Sequence, residues 1–233
     1  MSPERCAIFY VPPKDSDLAV FGREFLGVDI ETGDSVEQAT VKGLEAGKLK
    51  NLTAQSKFYG FHGTLKPPFR LAPNASLENL LKATKIFAAG MSPIETPTLE
   101  IAVIGKFLAL SPVASSVELE NIASQCVRTL EAYRKRQTDK EMAQYRQSKL
   151  TVHQEQMLDN WGHPYVLEEF RFHMTLTDRI DDDDERASIQ DTLSKHIEPL
   201  LGKAIPISDI TICTQPKTDT FMRVVERFPF GRV

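Results

Sequence analysis

Between Phe170 and Thr177 apolar and polar side chains alternate without exception: Phe170, Phe172, Met174 and Leu176 are interleaved with Arg171, His173, Thr175 and Thr177. A period of two marks a strand with one face on a hydrophobic core and the other on solvent or a cleft. The pattern returns at Gly60–Lys66, where Phe61, Gly63 and Leu65 share one side and His62, Thr64 and Lys66 the other. Laid over each other, the two stretches read Phe-His-x-Thr-Leu at 61–65 and again at 172–176, nearly half the chain apart. Each copy also carries a cation on its polar face, Lys66 after the first and Arg171 before the second. A lone His beside a Thr on a strand is usually a solvated pair. Two such motifs, using two of five histidines, read as a duplicated unit.

The rest of the chain supplies the core that these strands need. Arg5–Val11 reads as a strand closed by Pro12-Pro13, and Asp15–Gly27 as a helix with Leu18, Phe21, Phe25 and Leu26 at helical spacing. Residues 28–56 are polar, with one short helix near Leu49–Thr53; Tyr59–Pro67 reads as a strand stopped by Pro67-Pro68. Ser76 caps a predicted helix to Gly90 whose apolar face is Leu77, Leu80, Leu81, Ile86 and Phe87. Thr98–Pro112 predicts a hairpin turning at Gly105-Lys106. Ser115–Arg134 predicts a helix with Val117, Leu119, Ile122, Val127 and Leu130 apolar. Residues 134–162 predict a polar helical excursion ending at Trp161-Gly162. Strands follow at Glu169–Thr177, Ile205–Thr214 and Thr220–Phe228, with a helix over Asp183–Leu200. The class is therefore α+β with largely antiparallel sheet.

Composition narrows the function. The 233 residues have a formal net charge of −4. That balance excludes a grip on long nucleic acid through its phosphates, but not a pocket for one phosphate. No apolar run is long enough for a membrane helix. The first residues show no basic-then-apolar leader, so a cytoplasmic protein is expected. Cys6, Cys126 and Cys213 are odd in number and widely spaced, which predicts reduced thiols.

Two imidazoles, two hydroxyls and two cations suit a phosphodiester. Near neutrality a histidine pair can hold one neutral base and one protonated acid. The base takes a proton from water and the acid gives one to the departing alkoxide. Hydroxyls bond the non-bridging oxygens, and cations offset charge developing on phosphorus. No metal or cofactor is called for by this reading, and no carboxylate or cysteine cluster lies near either motif in the sequence.

At these residues the chain resembles the 2H phosphoesterase superfamily, named for two His-x-Thr/Ser motifs. Tyr59–Arg70 and Glu169–Thr177 are similar to the signature of one bacterial branch, the DUF1045 family associated with phosphonate metabolism. The opening strand with Pro12-Pro13, the Phe21-Gly22 helix, Trp161–Tyr165 and the C-terminal Arg-Phe-Pro run extend the similarity over essentially the whole chain. The resemblance implies a single two-lobed unit over 1–233. Its sheets are duplicated with pseudo-two-fold symmetry around a central cleft, with a helical insertion at about 128–165. It implies metal-independent hydrolysis of a small, cyclic nucleotide or ribosyl cyclic phosphate, with His62, Thr64, His173 and Thr175 catalytic. Strand geometry adds Lys66, Arg171 and Thr177 as substrate-binding candidates. The alternatives are a non-catalytic module that binds a phosphorylated metabolite or RNA end, and an RNA-processing enzyme of the 2′-5′ ligase kind. Asp178 stands where the family pattern has glycine, and an effect on the turn is expected there.

Other features have plainer readings. Asp181–Glu185 is read as a helix start that suits the helix dipole. Tyr133–Arg136 reads as a solvated face. His153 and His163, ten apart, read as surface residues. Tyr165 or Trp161, ending a long excursion of the kind that often covers active sites, is a candidate substrate contact beside a packing role. Tyr10 and Phe107 are candidates to line the cleft, with core membership an equal alternative.

Overall fold

The computed structural model describes residues 3–231. In chain order the elements begin with β1 (Arg5–Tyr10), α1 (Asp17–Leu26), β2 (Val28–Asp29), β3 (Asp34–Ser35), α2 (Lys48–Leu52) and β4 (Gly63–Phe69). Next come α3 (Leu77–Ala89), β5 (Ile94–Glu95), β6 (Leu99–Ile104), β7 (Phe107–Pro112), α4 (Val117–Thr129), α5 (Asp139–Arg146) and α6 (Val152–Trp161). The chain continues with β8 (Met174–Thr175), α7 (Asp183–His196), β9 (Pro206–Ile207), β10 (Asp209–Gln215) and β11 (Arg223–Pro229). The helix starts obey local chemistry: Ser16, Ser76, Ser116 and Asp182 each accept a backbone N–H at their N-caps, and Gly27 and Gly162 close α1 and α6 in the left-handed region. Asp181–Glu185 thus includes the cap and first turn of α7.

Seven strands form one sheet in the order β11-β10-β1-β4-β8-β7-β6, and every pairing in it is antiparallel. The α+β, largely antiparallel expectation holds. The sheet is two sub-sheets, of four strands and three, whose junction is the single pair Gly63↔Met174 between β4 and β8. The main core lies on one side. It takes Cys6, Ile8 and Tyr10 from β1, Phe61 and Leu65 around β4, and Phe172, Met174 and Leu176 around β8, packed with residues of α1, α3, α4 and α7. The opposite face of β1 gives Ala7, Phe9 and Val11 to a smaller cluster with Ile30, Cys213 and Met222.

Several boundaries differ from expectation. The strand predicted over Tyr59–Pro67 begins at Gly63, after a short 3₁₀ turn, and runs through both prolines to Phe69. Pairing with β1 slips twice in this region, and such irregular places tolerate a residue without an N–H. The strand predicted over Glu169–Thr177 is regular only at Met174–Thr175. Leu176 and Thr177 both donate their amides to the Leu108 carbonyl, which ends the even ladder. The strand predicted over Ile205–Thr214 is split at Ser208 into β9 and β10, which join different sheets. Two residues assigned to apolar helix faces are solvent-exposed, Ile86 at 77% and Val117 at 67%, because α3 and α4 bury narrower stripes centred on Leu80, Thr84 and Ala88, and on Leu119, Ile122, Cys126 and Leu130.

The helical excursion folds as α5 and α6 and is tied down at both ends. Arg70 just past β4 pairs with Glu141 of α5 at 2.6 Å, and the Lys135 amide donates to the Arg70 carbonyl. Gln154 donates to Glu169, and Gln137 to the Gly162 carbonyl. Trp161 packs against Val127, Met157, Val166 and Leu167, which gives it the packing role. Among the described residues no helix is long and apolar enough to cross a membrane. The three cysteines are buried and free.

Candidate active site

The pairing of Gly63 with Met174 fixes the site. Residues opposite each other in an antiparallel pair point to the same face. The register therefore sets His62 across from Thr175 and Thr64 across from His173. Gly63 and Met174 lie on the core side, Met174 fully buried, and the four motif side chains lie on the other, each partly exposed. The two His-x-Thr segments are thus related by a local two-fold through the Gly63–Met174 pair.

Both histidines are held in the same way. The Nδ1 of His62 lies 2.9 Å from the Gly60 carbonyl, and that of His173 lies 2.8 Å from the Arg171 carbonyl, in each case two residues back. A carbonyl only accepts, so each Nδ1 carries the proton and each neutral ring keeps its lone pair on Nε2. The Thr64 hydroxyl sits 3.0 Å from His62 Nε2 and donates to it. Phe9 stacks on the His62 ring at 3.7 Å and 26° between planes; Phe107 lies 5.5 Å from the His173 ring.

These surroundings set the charge states. Burial, chiefly, lowers the His62 pKa to about 4, with the charge of His173 acting in the same direction and the Gly60 hydrogen bond opposing. His173 is also lowered, first by burial and then by the Arg171 guanidinium, against the Arg171 carbonyl bond. The free site at neutral pH therefore holds two neutral imidazoles.

The other candidates separate sharply. Arg171 is exposed beside His173 and remains a cleft candidate. Tyr165 is 47% exposed, with its ring 5.8 Å from His163. Lys66 does not face the cleft. Phe9 pairs with Thr64 and Ile8 with Lys66, so Leu65 is an extra residue that puts the alternation out of phase and turns Lys66 to the core side with Ile8. There its ammonium is only 2% exposed and donates to Glu131 and the Val127 carbonyl at 2.9 Å each. Thr177 is fully buried and its hydroxyl accepts from the Leu108 amide, because the chain leaves the strand at Leu176. Tyr10 lies in the main core, 5.9 Å from the Phe172 ring, since the even-numbered residues of β1 face the helices. Asp178, expected to act on the turn at its own strand end, instead reaches a distant segment: its carboxylate accepts from the Gln55 and Ser56 amides, bracing the stretch that leads to His62.

Sequence reasoning missed His163. It was expected at the surface, yet its ring packs 5.2 Å from Tyr145 and burial lowers its pKa to about 4, helped by the charge of His173. Its Nδ1 accepts from the Tyr165 amide, so Nε2 carries the proton. The length of the excursion was the only signal. Tyr59, whose ring is 6.4 Å from His62, was read only as the first residue of a strand, and nothing local to it marks a site. Among the described residues no group of three or more His, Cys, Asp or Glu converges to hold a metal ion.

Fold and side chains together define an α+β protein with two His-x-Thr segments side by side on one face of its sheet. A family described as "Protein of unknown function (DUF1045)" matches residues 64–223, and the chain belongs to that family. It is 32% identical over 99% of its length to a protein of Janthinobacterium sp. (strain Marseille) and 30% identical over 94% to one of Laribacter hongkongensis (strain HLHK9). Both are named "Ribose 1,5-bisphosphate phosphokinase PhnN", and the chain covers 51% and 50% of them, so it spans about half the length of the curated relatives it matches. Among solved structures it aligns with one titled "Crystal structure of phosphoesterase" (13% identity, TM-score 0.49, 99% of this chain and 100% of that one). It also aligns with E. coli LigT complexed with phosphate (9% identity, TM-score 0.49, all of both chains).

Proposed function

We propose that the cleft hydrolyses a small, cyclic phosphodiester of a nucleotide or ribose by metal-independent acid–base catalysis, as a 2H phosphoesterase. The observation that carries this reading is the symmetric pair of imidazoles on one face, each tied through Nδ1 to the carbonyl two residues back.

In this reading His62 is the base. When the Thr64 hydroxyl turns from His62 to the substrate, the freed Nε2 lone pair takes a proton from water, and the water oxygen forms a new bond to phosphorus. His173, protonated once the substrate's negative charge is bound, donates from Nε2 to the alkoxide as the ring P–O bond breaks. One phosphodiester and one water give one phosphomonoester alcohol, and a proton returns from His62 to His173 through solvent. Phe9 over its ring and the burial that lowers its pKa support His62 as the neutral partner, and His173 takes the acid role. Thr64 and Thr175 bond the non-bridging oxygens, and Arg171 offsets charge on the transition state.

The relatives' printed name supports a ribose substrate and a place in phosphonate metabolism. Opening a 1,2-cyclic phosphate on ribose 5-phosphate gives ribose 1,5-bisphosphate, the compound in that name. Phosphokinase activity itself is not proposed for this chain, which has no Gly-x-x-x-x-Gly-Lys-Ser/Thr phosphate loop. The test is phosphorus NMR of adenosine 2′,3′-cyclic phosphate and of 5-phosphoribosyl 1,2-cyclic phosphate with wild type, His62→Ala and His173→Ala. Each variant is expected to turn over roughly 10²–10⁴-fold more slowly. Undiminished turnover in the double variant ends this mechanism, and tight binding without turnover by wild type favours the binding module.

A further inference from the structure

The hydrogen-bond ladder from Arg5↔Gln215 to Phe9↔Thr211 is unbroken, so Arg5, Ala7 and Phe9 point to one face of β1. Phe9 stacks on His62, which puts Arg5 on the face of the reacting groups. Its Nε and Nη2 both donate to Gln215 Oε1, at 2.8 and 2.6 Å. Gln215 is itself oriented by donating to the Thr218 and Thr220 carbonyls. The guanidinium is thus held in a fixed plane by a neutral amide. It forms no ion pair with a carboxylate among the described residues, unlike Arg70, Arg134 and Arg227. Its Nη1 hydrogens are not used by Gln215, and a partly buried cation without a counter-charge is favourable ground for an anion. The Arg5 guanidinium carbon lies 5.5 Å from the Tyr59 ring centre, and the same ring lies 6.4 Å from His62. Tyr145 of α5 stands near enough that the charges of Tyr59 and Arg5 act on its hydroxyl.

We propose that Arg5, with Tyr59 and Tyr145, forms a second anion subsite that receives a phosphate monoester at the far end of the substrate. It rests on the phosphoesterase reading for its purpose but not for its measurement. One tyrosine ring links the two positions, which suits a pentose-sized body between a terminal phosphate and the phosphorus under attack. The subsite would select 5-phosphorylated riboses over unphosphorylated ones. Lys66, spent on Glu131, leaves that recognition to Arg5.

The test is titration calorimetry of the full chain with ribose 5-phosphate and, separately, inorganic phosphate, on wild type, Arg5→Met, Tyr145→Phe and His62→Ala. Ribose 5-phosphate should bind wild type and His62→Ala alike and bind Arg5→Met roughly 10–100-fold more weakly, the size of a lost charge-assisted hydrogen bond. Tyr145→Phe, which removes one half-buried hydroxyl and keeps the ring, should weaken it by a smaller factor and guards against misfolding of Arg5→Met. Loss of binding in His62→Ala with retention in Arg5→Met overturns the proposal, as does failure of wild type to bind ribose 5-phosphate. Absence of turnover on cyclic phosphates would strike the phosphoesterase reading alone.

Discussion

Gly63 and Met174 face each other as the one residue pair joining β4 to β8 among the described residues, and both His-x-Thr segments are arranged around it. A Cβ built on Gly63 would lie 2.4 Å from the Phe172 ring. Close approach of the two sub-sheets at their junction therefore requires glycine here.

Gly63→Ala should be destabilised by about 1–3 kcal/mol, the usual cost of overpacking. It should also lose activity beyond what reduced folding explains, because the junction must open. Adding Phe172→Leu should recover part of both. Urea unfolding and turnover of the single and double variants test this; additive effects would exclude steric coupling.

Lys66 and Glu131 should respond unequally. Glu131→Gln removes the carboxylate from a buried ammonium and should cost about 3–5 kcal/mol. Lys66→Met fills the same space without charge, while Glu131 keeps Arg134 at 2.6 Å, so stability should change little and the KM for a cyclic phosphate should hold. A large rise in KM for Lys66→Met, with folding intact, would return Lys66 to the cleft.

The desolvated, partly exposed histidines His62 and His163 make folding acid-sensitive. Their folded pKa values lie below the unfolded value, so between about pH 6.5 and 4 the unfolded chain binds more protons than the folded one. Their destabilising contribution is absent above pH 6.5, grows as pH falls, and is complete below about 4. The Tm should therefore drop on acidification through this window. The drop should be smaller in His163→Gln, which cannot take up that proton; an identical profile would mean that His163 is solvated.

Gly60 sits at φ +67°, and an added Cβ would lie 2.7 Å from Ile30. Its carbonyl orients His62, so Gly60→Ala should misalign the base as well as strain the turn. Turnover should fall more than in Gly47→Ala, which has a similar positive φ but open space around it and no contact with the site. Equal losses would reduce Gly60 to a general backbone effect.

Much of the fold was legible locally. A cap or apolar spacing gave α1, α3 and α4, an acidic first turn marked α7, and strict alternation placed Phe61, Leu65, Phe172, Met174 and Leu176 on the core side. The motif histidines and threonines followed from the same rule. Alternation fails where the ladder slips, and no local pattern marks the slip: Lys66 lies one bulge beyond Thr64, and Thr177 one turn beyond Thr175. Tyr10 lies in a run of consecutive apolar residues, where both faces of the strand are buried and parity alone cannot say which is the cleft.

The sequence by itself determined the two His-x-Thr motifs and which side chains share a face within each, because side-chain direction along an unbroken strand depends only on neighbours along the chain. Tertiary structure alone decided that Lys66 is tied to Glu131 while Arg5 is left without a carboxylate, and that His163 comes up beside Tyr145. Those outcomes depend on register between distant strands and on where α5 and α6 dock, and both are set by packing across the whole fold.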